Sequence, residues 1–161
     1  MSVFNKVIEA HAKAKTKAEH VAAAAATART AAETKFAAAF AEQIEQVAAP
    51  VFEEFAADAI AHDFPAVVEN ANDGAGNPIY AVKLVPETGA KFGVNASEEI
   101  AYSIRGIICE QKVEHTSYFD QRPNKKHCIK KGTFGIQSIN TPVLERELGE
   151  FLSAALKARA A

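Results

Sequence analysis

The sequence has no tryptophan, one methionine and two cysteines, and before Pro50 it has neither glycine nor proline. Each shortage excludes something. Two cysteines, Cys109 and Cys128, cannot form the multi-bridge framework of a small secreted domain. No run of apolar residues approaches the length of a membrane span, and the N-terminus lacks the apolar core of a signal peptide. The expectation is a cytoplasmic, reduced protein without a membrane partner. Also missing are a phosphate-cradling glycine loop, a C-x-x-C pair, H-E-x-x-H and G-x-S-x-G. Glu53 and Glu54 are helical neighbours about 100° apart, which is unsuitable for a paired-carboxylate site. No cofactor, no metal and no catalytic residue are therefore expected.

Without helix breakers, alanine dominates the first third of the chain. Alanine loses no rotamer freedom in a helix and has the highest helix propensity, so Val3 to Val47 reads as one long helix. Its large apolar residues lie at the two ends. Phe4, Val7 and Ile8 open it, Phe36, Phe40, Ile44 and Val47 close it, and between these groups only Val21 is larger than alanine among the apolar residues. One row follows alternating steps of three and four: Phe4, Val7, His11, Ala14, Ala18, Val21, Ala25, Ala28, Ala32. That is the spacing of a coiled-coil seam, and alanine allows two helices to approach closely. The segment Ala14, Ala18, Val21, Ala25, Ala28, Ala32 is the expected interface of a homodimer or a higher closed oligomer.

Beyond Lys35 the pattern becomes core-seeking. The Phe36 stripe should dock on a domain, and Ala48-Ala49-Pro50 should interrupt the helix, giving a kinked helix or a short helical hairpin. Val51, Phe52, Phe55 and Ile60 resume helical spacing as far as Phe64-Pro65. Ala66–Glu69 and the alternating Ile79–Val85 read as strands on either side of the turn at Gly74–Pro78. Residues 97–111 satisfy both periods, and their β-branched and aromatic content favours strand, with Gly106 as a bulge or turn. Lys112–Asp120 and Lys126–Ile139 are further strands, and a bulge is expected around Gly132–Gly135. The chain closes with a helix capped by Thr141, with Pro142 in first position. Leu144, Leu148, Phe151, Leu152 and Leu156 form its apolar face.

The resulting expectation is α+β. A long Ala-rich helical arm (1–49) precedes a two-layer domain (50–161) made of a second helix, an antiparallel meander of about four strands and a closing helix.

Charge is distributed unevenly. Pro50–Ala75 holds six acids and no Lys or Arg, whereas Ile100–Gly135 holds seven basic residues against three acids. Opposed patches of this kind suit self-association or a charged partner. Arg122, Lys125, Lys126, Lys130 and Lys131 cluster on one hairpin, and such residues dock on an acidic protein surface or neutralise phosphates. Cys109, His115, His127 and Cys128 match no common zinc spacing, and as plain strand residues they would leave a buried thiol and exposed histidines. The function expected from all this is a non-catalytic protein-interaction module, an assembly subunit or an inhibitor of a larger partner. It would self-associate through its N-terminal helix. The alternative is nucleic-acid binding through residues 122–131.

Overall fold

The computed structural model describes residues 2–94, 98–123 and 129–160. Two compact units divide at Phe36/Ala37. The first unit, up to Phe36, is helical throughout its described length after Ser2. It belongs to helix α1, Val3–Gln43, which continues into the second unit.

In the second unit the helix does not break at Pro50. It passes through a π-helical turn, Ile44–Ala48, into α2, Ala49–Ala61. The Ala49 N–H donates to the Ile44 carbonyl, five residues back. Proline lacks an N–H and its ring collides with the carbonyl four residues earlier in a regular helix. Pro50 lies immediately after the wider turn, in the first turn of α2, where a missing donor is tolerated. The extra residue also shifts the phase of the buried stripe. Phe36, Phe40, Ile44, Val51 and Phe52 are buried as their spacing predicts, but in the turn itself Ala48 is fully buried in place of the half-buried Val47, and Phe55 is only half-buried. Ile60, expected in the stripe, is exposed.

Helix α2 ends in a Schellman arrangement. The Phe64 N–H reaches the Ala59 carbonyl and the Asp63 N–H reaches Ile60. Asp63 occupies the left-handed position at φ 62°, where glycine is usual.

The sheet has five antiparallel strands in sequential order: β1 Ala66–Asn72, β2 Pro78–Leu84, β3 Ile100–Ile107, β4 Lys112–Tyr118 and β5 Ile129–Phe134. This is the expected antiparallel meander, with each of the five strand-like stretches of the sequence contributing one strand, and the described part of the ambiguous 97–111 stretch is mainly strand. Helix α3, Thr141–Ala160, closes the chain. Its cap is Asn140 rather than Thr141. The Asn140 Oδ1 accepts from the Val143 N–H and its carbonyl from Leu144. A short side chain directly before the first turn is placed to do this.

One helical layer covers one face of the sheet, making an α+β fold. Tyr80, Val82 and Leu84 of β2 and Ile100, Tyr102 and Ile104 of β3 are buried on that face. Phe52 stacks on Tyr80 at 5.2 Å between ring centres, and Phe151 of α3 lies 5.9 Å from Tyr102. Leu148 and Phe151 are buried as the helical spacing requires, while Leu156 is exposed.

Gly106 is neither bulge nor turn. It pairs in register with Val113, and a Cβ there would stand 3.0 Å from the Phe40 ring. The glycine lets that ring rest directly on the sheet. Gly132 likewise sits in regular register opposite His115, and a Cβ would meet the Phe134 ring at 2.7 Å. The opposite face carries ion pairs. Lys83 bonds Glu69, and Arg105 joins Asp73 and Glu114.

Candidate functional site

The most exposed apolar surface lies on the N-terminal unit. Every residue there whose side chain is described, from Ser2 to Ala31, is exposed. These include Phe4 at 73 %, Val7 at 60 %, Ile8 at 52 % and Val21 at 63 %. Phe4, Val7 and Ile8 are neighbours on the helix, and contiguous exposed apolar patches mark interaction surfaces, whereas a single exposed residue such as Val21 is ordinary. Of the alanine row, Ala14, Ala18, Val21, Ala25 and Ala28 are exposed and Ala32 is half-buried. All six lie within one uninterrupted helix. Two threonines on it, Thr16 and Thr34, return their hydroxyls to the carbonyls four residues back, which keeps those donors satisfied.

The basic hairpin is brought together only in part. Lys125 and Lys126, with His127 and Cys128, lie outside the described residues. Arg122 is turned inward. Its guanidinium bonds both carboxylate oxygens of Asp120 at 2.9 and 2.8 Å and donates to the Ala158 carbonyl at the end of α3. The Asp120 side chain is only 3 % exposed, so this arginine neutralises a buried carboxylate as well as capping a helix. Lys130 pairs with Glu150 at 3.2 Å and Lys131 with Glu114 at 3.5 Å. Both lysines keep more than half of their side-chain surface in solvent.

The cysteine–histidine set separates. Cys109 is exposed in the short turn Ile108–Glu110, and His115 is buried on the helix-covered face. This reverses the expected buried thiol and exposed imidazole. Strand parity is the reason, because His115 shares its face with Val113 and Ser117.

Buried, the imidazole needs partners at both nitrogens. The Tyr102 hydroxyl lies 2.8 Å from Nδ1 and the Ser138 hydroxyl 2.8 Å from Nε2. The Phe134 ring stands edge-on at 5.5 Å. Burial holds His115 below the usual histidine range, against the opposing pull of Glu147, and pushes the Tyr102 phenol upward. The outcome is a neutral Tyr–His–Ser chain. A Ser–His pair works as nucleophile and base when a carboxylate stabilises the imidazolium that forms. Here a neutral phenol fills that place, so the arrangement suits satisfaction of buried polar atoms. The chain was not anticipated from the sequence. The signal available was a histidine at an inward-facing strand position, which demands partners.

Asp73 sits in the β1–β2 turn. It accepts from the Asn77 and Ala75 N–H groups, the Asn77 amide and Arg105, and these bonds hold its carboxyl at about 2. It organises the turn. Among the described residues no three His, Cys, Asp or Glu side chains converge as metal ligands, and no helix is long and apolar enough to cross a membrane. Comparison with known protein families, curated proteins and solved structures finds no match to this chain.

Proposed function

We propose that this chain is a non-catalytic, cytoplasmic protein-interaction subunit, an assembly component or an inhibitor of a larger partner, that self-associates through its N-terminal helix. One observation carries the reading: the described side chains from Ser2 to Ala31 are all in solvent, including five large apolar ones. An alanine-rich helix alone in water is only marginally stable, because most helix stability in proteins comes from packing one face. A second copy along Ala14, Ala18, Val21, Ala25, Ala28 and Ala32 supplies that packing, and closed symmetric pairs are the commonest soluble assemblies.

Light scattering tests this. The expected mass is twice the 17.2 kDa of the chain or a higher multiple, and a mass of one chain at micromolar concentration overturns the reading. Ala25→Glu should split the assembly, since it puts a charge on the seam. The exposed ends of Lys130 and Lys131 favour nucleic acid as a second reading. Salt-sensitive binding of single- or double-stranded nucleic acid, abolished by Lys125→Glu with Lys126→Glu, would establish it in place of the first.

A further inference from the structure

Between α2 and α3 the helical layer leaves an open groove made of two adjoining hollows of about 260 and 230 Å3. Phe55 and Asp58 line both. Each is many times the roughly 30 Å3 share of one water, so the groove accepts large side chains. Its two ends differ. At the Val51 end the floor is Val51, Phe55 and Leu148, and the rim is acidic, with Glu54 and Asp58 on α2 facing Glu145 on α3. At the His62 end the walls are Ala59, Phe64, Leu84 and Leu152. No lysine or arginine lines either hollow. Gly149 of α3 borders the acidic end, and a Cβ there would meet nothing within 4 Å.

The same chain carries a segment of matching chemistry. Phe4, Val7, Ile8 and His11 fall at i, i+3, i+4 and i+7, the anchor spacing by which an amphipathic helix enters an apolar groove. All four are exposed. Lys15 follows two turns after Ile8 on the same side. The segment as a whole is basic, with Lys6, Lys13, Lys15 and Lys17 against Glu9. Its length fits as well. Phe4 to Lys15 and Val51 to His62 each cover roughly 16 Å of helix.

We propose that the α2–α3 groove receives the N-terminal helix of a second copy of this chain. Phe4, Val7 and Ile8 enter the apolar end, and Lys15 meets Glu54, Asp58 and Glu145. The polarity of the groove sets the direction: the incoming helix runs antiparallel to α2. This inference rests on the self-association reading and names the surface that receives the helix.

The test is sedimentation equilibrium on the full chain and two variants. Val7→Glu spoils the stripe at an exposed position, and Gly149→Phe fills the groove from a site with free space. Each should raise the dimer dissociation constant at least about tenfold. An equimolar mixture should dimerise more tightly than either variant alone, because one intact stripe and one open groove remain. Gly149→Phe dimerising like the parent overturns the groove while leaving Ala25→Glu to judge the seam. A mixture no better than its components also overturns it, and a parent that stays monomeric overturns this inference and the self-association reading together. Should Gly149→Phe fail to fold, Lys15→Glu and Glu145→Lys replace it. Each alone should weaken the dimer and the two in one chain should restore it, and absence of restoration overturns the pairing.

Discussion

At the scale of single residues, two buried positions set local rules. Gly106 leaves the Phe40 ring only 3.0 Å from where a Cβ would be, and Phe40 is itself 2 % exposed and unable to retreat into solvent. Gly106→Ala should therefore cost about 1–3 kcal/mol as an overpacked core does, despite alanine's better fit to a strand. A lowered denaturant midpoint checks it, and an unchanged one would mean the Phe40 ring shifts freely.

His115 makes a prediction in pH. Burial lowers its folded-state affinity for a proton below that of the unfolded chain. Between the ordinary value of 6.5 and the lower folded one, the unfolded state binds more protons, so stability is full above 6.5 and declines as pH falls through that window. Urea titrations between pH 7.5 and 5 should show the decline, and His115→Phe should flatten it. Neither position is legible from the sequence alone. A glycine in a strand reads as a bulge until its neighbour on the next layer is known, and a lone histidine carries no mark of its strand parity.

At the scale of elements, periodicity carries most of the fold. Leu144, Leu148 and Phe151 declare the buried face of α3, and the alternation of Ile79–Val85 declares β2. Helix ends are less legible, because they are settled by side chains from elsewhere. Asn140 rather than Thr141 starts α3, and Arg122, a residue whose charge suggests an outward role, finishes it. Arg122→Ala would remove the two-pronged partner of the buried Asp120 and the donor to the Ala158 carbonyl. The expected loss is about 2–3 kcal/mol, somewhat under the usual figure for breaking a buried pair because the guanidinium is a quarter exposed. Hydrogen exchange should show the amides of the last turn of α3 opening first. Unaltered stability would mean that Asp120 recruits another partner.

At the scale of the whole molecule, the helical N-terminal third and the α+β class follow from composition and period, because alanine content and alternation are local properties. A binding partner for an exposed helix is not a local property, and the sequence supplies only an apolar stripe, an alanine row and a charge asymmetry. If association holds that helix together, helicity depends on concentration. Far-UV circular dichroism should lose helical signal on dilution below the dissociation constant while near-UV signals from Tyr80 and Tyr102, in the domain core, persist. A constant far-UV signal over that range would show that the helix needs no partner.

The extra residue held in the π turn fixes how this chain can gain or lose length over evolutionary time. A π turn is an inserted residue that the helix has absorbed. Deleting one residue between Ile44 and Ala48 would let a regular helix run through with Phe40 and Ile44 still in phase with Phe52, whereas forcing the undeleted chain into a regular helix would rotate them about 100° relative to Phe52. One of the two buried groups would then leave the sheet. A single-residue deletion in this turn is thus tolerated much as it would be in a loop, and sequences derived from this one that are one residue shorter between Phe40 and Phe52 should run through as a regular helix without the π turn.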